Sequence, residues 1–149
     1  MNITTIGIDI AKNYIQIHGT NDAGKALLKK RLKREEFLTF MSTRAVCLVG
    51  MEACGGAHYC QIKLNQLGFN AKIMSPQKVK KYADSHIKND ERDAAACAEA
   101  VTRSHMTFVS IKEAAQMSIQ RTHRVRSFHI QMRTALMNMI RGLLLEYGI

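Results

Sequence analysis

The sequence predicts an α/β fold: a mixed sheet with helices on its faces, followed by a long carboxy-terminal helix. Three observations carry this. Residues 3–32 hold three strand-length runs separated by turn signals. Two further apolar runs then alternate with segments of helical spacing, the order that lays helices against a sheet. Between Lys112 and Tyr147 there is no proline and Gly142 is the only glycine, so the backbone meets almost no helix breaker.

The elements follow in order. Residues 3–10 read as a strand around Ile6-Gly7-Ile8-Asp9-Ile10, and Lys12-Asn13 make a turn. Tyr14-Ile15-Gln16-Ile17-His18-Gly19 alternates apolar and polar, as a half-buried strand does. Asn21-Asp22-Ala23-Gly24 is a second turn signal, and residues 25–32 form a third, strongly basic strand. A short helix opens at Arg34-Glu35-Glu36-Phe37-Leu38 and ends near Thr43. Residues 45–52, ending in Val49-Gly50-Met51-Glu52, read as a buried strand. Gly55-Gly56 breaks the chain before a helix over 57–67, for which Gly68 is a natural stop. Residues 70–74 form a short strand, and Pro76 takes the N1 position of a short helix over 77–84. A Lys-rich loop leads to a helix starting at Asn89.

In the last segment Val125, Phe128, Met132, Leu136, Met139 and Leu143 recur at steps of three and four, a heptad-like seam. The predicted division is an α/β domain over 1–108 and a long helix or coiled-coil region, in one piece or kinked, over 109–149. Three antiparallel strands followed by αβ units fit the ribonuclease H-like fold. There the first strand is central and the fourth lies parallel beside it, which would make neighbours of Asp9 and Glu52.

The net charge is +10 and the pI about 9.7, which favours a polyanionic partner, most simply nucleic acid. None of the four cysteines forms a C-x-x-C pair, and Cys54, His58 and Cys60 have the spacing of no common zinc site. Reduced thiols in a cytoplasmic protein are the plainer reading. No signal peptide opens the chain, and no apolar run reaches the ~18 residues of a membrane span.

Four carboxylates stand out in this basic chain. Asp9 lies inside a strand, where Asp is disfavoured, and Glu52 ends a second strand. Asp90 and Asp93 lie three apart at a helix start and share a face. Such a set suits a hard divalent cation. The plain alternatives are a strand-end glutamate and two acids favoured by a helix amino terminus. Basic residues form one group at Lys25, Lys29, Lys30, Arg31, Lys33 and Arg34, which also suits a solvated sheet edge. A second group, Lys72, Lys78, Lys80, Lys81, Lys88 and Arg92, precedes or opens the acidic helix and is the preferred set for phosphate contacts. There is no Trp and aromatic content is 6%, so base stacking is not an evident theme.

Four segments together resemble the amino-terminal half of the DEDD transposases, the insertion-sequence-110 family that includes the Piv/MooV DNA invertases. They are Gly7-Ile8-Asp9-Ile10-Ala11-Lys12, Met51-Glu52-Ala53-Cys54-Gly55, Lys88 to Ala94, and Asn138 to Gly148. The resemblance implies a RuvC-like domain of the ribonuclease H superfamily whose catalytic, metal-binding tetrad falls on Asp9, Glu52, Asp90 and Asp93. It implies two Mg²⁺ ions, with Mn²⁺ able to substitute, and cleavage and transfer of DNA strands in transposition or inversion. It further implies DNA as partner, a structured bridge RNA for at least some members, homo-oligomers through the helical region, and a bacterial, nucleoid-associated setting. The attacking serine of the family belongs to a carboxy-terminal domain, expected outside these residues. Other readings kept open are a stand-alone junction resolvase or nuclease of the same fold, a sugar-kinase or actin-like nucleotide-binding domain, and a non-catalytic dimerising nucleic-acid-binding fragment.

Overall fold

The computed structural model describes residues 2–82 and 90–149. Lys88 and Asn89 of the expected motif therefore lie outside the described residues. The chain divides into two compact units, one reaching to Ile111 and one spanning Lys112–Ile149.

In the first unit the described residues form a six-stranded sheet. Its strands are β1 (Thr5–Ile10), β2 (Tyr14–Thr20), β3 (Ala26–Lys33), β4 (Leu48–Glu52), β5 (Asn70–Met74) and β6 (Phe108–Val109), in spatial order β3-β2-β1-β4-β5-β6. The first three strands are an antiparallel meander, β4 and β5 run parallel to β1, and β6 returns antiparallel. This is the mixed ribonuclease H-like sheet with its first strand at the centre. The central strands β1 and β4 are covered on both faces and are mostly apolar up to their terminal acids, whereas β5 alternates, with Asn70 exposed and Lys72 half-buried.

One face of the sheet buries Ile6, Ile8, Ile15, Ile17, Val49, Met51 and Ile73 with α1 (Phe37–Ser42) and α2 (Ala57–Gln66). On α2 the buried Gln61 amide donates to the Ala71 carbonyl at 2.9 Å, and Asn65 Oδ1 accepts the Ala71 N–H at 3.0 Å. The helix thus pins β5 through polar groups that burial would otherwise leave unsatisfied. The other face carries α3 (Pro76–Val79) and α4 (Asp90–Val101), around Met74, Val79, Ala96, Cys97, Ala100 and Val101.

Helix α4 sits unusually close to the sheet, and two glycines are the reason. Gly7 and Gly50 are direct register partners on β1 and β4. A Cβ on Gly7 would collide with the Ala94 carbonyl and the Ala98 amide. One on Gly50 would lie 2.7 Å from the Cys97 carbonyl and 2.6 Å from Val101 Cβ. The missing side chains leave a smooth saddle, and the small residues of α4 let its backbone settle there.

Several boundaries differ from expectation. Arg34 donates its backbone N–H to Asn13 at 3.0 Å, which ties it to the β2 turn, so the first helix starts later, at Phe37. Residues 45–47 lie ahead of the ladder, since β1 and β5 begin pairing with β4 at Leu48. Of the helix expected over 77–84, the described part is a four-residue α-turn, Pro76–Val79, followed by a 3₁₀ turn at Lys80–Tyr82, and residues 83–84 lie outside the described residues. Strand β6 was not expected.

The second unit is one continuous 32-residue helix, α5 (Ala114–Leu145). A capping box joins Glu113 and Gln116, and the Gln116 side chain accepts the Glu113 N–H at 3.0 Å. Gly142 passes through without a break. The seam residues Val125, Phe128, Met132, Leu136, Met139 and Leu143 are each 53–58% exposed in the single chain.

The saddle makes a contrast that urea unfolding can read. Gly7→Ala should destabilise by about 1–3 kcal/mol through overpacking. Gly142→Ala, where a Cβ meets nothing within 4 Å, should add roughly 0.5–1 kcal/mol of helical stability. Parent-like unfolding of Gly7→Ala would mean that α4 does not rest on this strand.

Candidate active site at the carboxyl ends of the parallel strands

The β1–β4 register pairs Gly7 with Gly50 and Ile8 with Met51, and one further step sets Asp9 beside Glu52. Side chains alternate along a strand, so Asp9 shares the face of Gly7 and Glu52 the face of Gly50. That is the face covered by α4. Both acids are half-buried at the ends of their strands. Asp93 arrives from the other side, one residue before the Ala94 carbonyl that lies over Gly7. The saddle that seats the helix therefore also sets Asp93 toward the two strand acids.

The electrostatics record this approach. Burial raises the Glu52 carboxyl above its ordinary value, and the charges of Asp93 and then Asp9 raise it further. Cys97, one turn after Asp93, is buried with a hydrogen bond to the Glu52 backbone; desolvation first, then the charges of Glu52 and Asp9, push its thiol far up. Asp9 and Glu52 also act on Cys54, just after β4, where burial is the leading cause of a raised thiol and Arg34 opposes it. Asp90 is exposed on the first turn of α4 and is not among the groups that shift Glu52. Among the described residues, no three His, Cys, Asp or Glu side chains stand close enough to clasp an ion. Asp9, Glu52 and Asp93 thus share a negative field without closing on a common point.

The second basic group is distributed around this end of the fold. Lys72 is in register with Gly50, half-buried, with its ammonium 5.8 Å from the Phe108 ring centre. Lys78 bonds the Thr107 hydroxyl. Lys80, Lys81 and Arg92 are exposed, and Lys88 lies outside the described residues. The first group has local partners: Lys29 pairs with Glu91 on α4 at 2.7 Å, Arg31 lies over Tyr14 and Lys30 over Phe40.

Two residues near the acids went unnoticed in the sequence. Cys97 looked like one more small residue in an alanine-rich helix. Arg34 looked like part of a basic run, yet its guanidinium donates to the Ala11 carbonyl at 3.0 Å, just past Asp9. No local signal marks a contact between residues so far apart in sequence.

Sheet order and the acids at the ends of two adjacent parallel strands define the class: a ribonuclease H-like α/β domain with an acidic centre. The family is narrower. The model of the IS110 DEDD transposase family matches residues 6–149, and the chain belongs to that family. It is 42% identical over its whole length to a "probable family 20 transposase" of Pseudomonas aeruginosa, covering 44% of that protein. It is 40% identical, over 99% of its length, to the transposases for insertion sequence elements IS1111A of Coxiella burnetii and IS1328 of Yersinia enterocolitica, covering 40% and 44% of them. The chain thus spans less than half the length of these relatives. Among the described residues no helix is long and apolar enough to cross a membrane.

A carboxyl whose folded pKa exceeds its unfolded value leaves the folded state holding the extra proton. Stability is then lost as pH rises from the unfolded value through the folded one. Glu52→Gln, which removes that carboxyl, should therefore raise the Tm over the parent in the absence of divalent cations. The gain should be smallest at pH 4 and largest at neutral pH. A gain independent of pH would mean that Glu52 does not sit in a negative field.

Proposed function

We propose that this chain is the catalytic domain of a DNA transposase and that Asp9, Glu52 and Asp93, with Asp90 three residues before Asp93 on α4, serve metal-dependent cleavage and transfer of DNA strands. The observation that carries the reading is that Asp9 and Glu52 each follow directly on the last β1–β4 register pair, Ile8 with Met51, and that the charges of Asp93 and Asp9 both reach Glu52, in a chain of this family. The donor set fits the cation. It consists of hard carboxylate oxygens, and the charges of Asp93 and Asp9, which add to burial in raising the Glu52 carboxyl, are a repulsion that a cation would relieve. Asp9 and Glu52 would hold Mg²⁺ from the strands, and Asp93 and Asp90 from the helix. Bound there, divalent cations supply charge neutralisation at the phosphate and a lowered pKa for the attacking oxygen.

The protein's own part is positioning and binding. The strand ends and α4 hold the acids on a rigid frame, and the buried Cys97 side keeps water from one flank of the site. The excess of basic residues binds DNA by neutralising phosphates. Lys78, which bonds Thr107 just before β6, and the exposed Lys80 and Lys81 are the proposed phosphate contacts, together with Lys72, Lys88 and Arg92. Rejoining of DNA ends is assigned to the chain only together with the further sequence its relatives carry.

The α5 seam supports self-association. Six large apolar side chains at heptad-like spacing stand more than half exposed, and covering each is worth roughly 1.5–3 kcal/mol.

Two measurements test this. In a protein of the relatives' full length carrying this chain, Asp9→Asn should lower metal-dependent cleavage at least ~100-fold, since metal stabilisation is worth several kcal/mol, while DNA affinity stays at the parent level. Retained cleavage would refute the site. Light scattering at micromolar concentration should report a dimer or larger, and Leu136→Lys should shift it to monomer. A monomeric parent would refute the association.

A further inference from the structure

A cavity opens at the same end of the sheet, on the opposite face from the acids. It has a volume of about 670 Å³, within the roughly 300–1,000 Å³ typical of ligand sites. Lys12, Lys33 and Arg34 contribute three cations to its lining against the single acid Glu35. Tyr59 stands on its wall, 55% exposed, and among the described residues no ring or cation lies against it.

This lining is built rather than incidental. The Arg34 guanidinium is held by the Ala11 carbonyl at 3.0 Å, and its other nitrogen occupies the space a Cβ on Gly56 would take. Gly56, at φ +99°, caps α2 without a side chain. One cation is thereby fixed between the turn after β1 and the start of α2, the helix that carries Tyr59.

The cavity is also close to the acids. Lys12 lies three residues beyond Asp9, a span of at most roughly 11 Å between α-carbons. Cys54 Sγ lies 4.0 Å from the carbonyl of Ile10, the residue after Asp9, and the Arg34 guanidinium holds the next carbonyl, that of Ala11, so acid and guanidinium meet at the same short stretch of chain.

We propose that this cavity binds a single-stranded nucleotide of the DNA next to the scissile phosphate. Arg34, Lys12 and Lys33 hold its backbone phosphate, and Tyr59 stacks on its base. The inference rests on the reading of the acidic centre as a DNA-cleaving site, and that adjacency is what favours DNA over RNA. Stacking on an exposed ring suits an unpaired base, whose face is open, and is tolerant of sequence.

The test is fluorescence anisotropy of the 149-residue chain with a labelled single-stranded DNA oligonucleotide, the matching duplex and an RNA of the same sequence, across a salt series. Tyr59→Ala should weaken single-stranded DNA binding about tenfold. Tyr59→Phe should retain it, because the ring is kept. Lys12→Gln should reduce the slope of log affinity against log salt by roughly 0.7, one phosphate contact on a single strand. Duplex binding should respond less to Tyr59→Ala. Parent-like affinity and slope in both Tyr59→Ala and Lys12→Gln would overturn the subsite while leaving DNA binding intact. Failure of the parent to bind any DNA would overturn the DNA-binding reading as well. Sensitivity to Tyr59→Ala confined to RNA would overturn the choice of DNA.

Discussion

The contact of α4 with the two central strands is the constraint on which the site depends. A helix normally packs on a sheet across two layers of side chains. Here Gly7 and Gly50 remove one layer at adjacent register positions, and Ala94 and Ala98 thin the other. The backbone of α4 meets the backbone of the sheet, and the acid one residue before Ala94 is lowered toward the acids two residues beyond each glycine. A larger residue at either strand position would lift the helix and separate Asp93 from Asp9 and Glu52. Packing and electrostatics are therefore coupled at this point.

The coupling has a cost. Asp9, Glu52 and Asp93 stand in one negative field, and burial of Glu52 adds to it, so the folded chain holds a proton there more tightly than a solvated glutamate would. The nearest thiols, Cys54 and Cys97, are driven away from ionisation by the same field and by burial. Arg34 opposes this field at Cys54. Lys29 on the edge strand reaches Glu91 on α4 and ties the acidic helix to the far side of the meander.

Much of the architecture was legible from one-dimensional signals. The meander followed from turn residues between alternating runs, and the ribonuclease H-like order from strands and helices in sequence. Asp9 was conspicuous because an acid inside a β-branched run has few structural reasons to be there. The two-residue β6 was invisible because a strand so short has no period to detect. The change from α to 3₁₀ geometry at Lys80 was not foreseen because proline at N1 announces a helix start but carries no information about how the helix continues. The low aromatic content argued against stacking as a general theme. It could not show that one tyrosine would stand in the open wall of a cation-lined cavity.

Local chemistry in the chain specified the elements, their faces, the basic balance and the family, because propensity, turn geometry and motif residues act over a few positions. The meeting of Gly7 with Gly50, of Asp93 with the strand acids, and of Arg34 with Ala11 joins segments far apart in sequence. Strand register and the closeness of a helix to a sheet set those contacts, and both emerge only when the whole core packs at once.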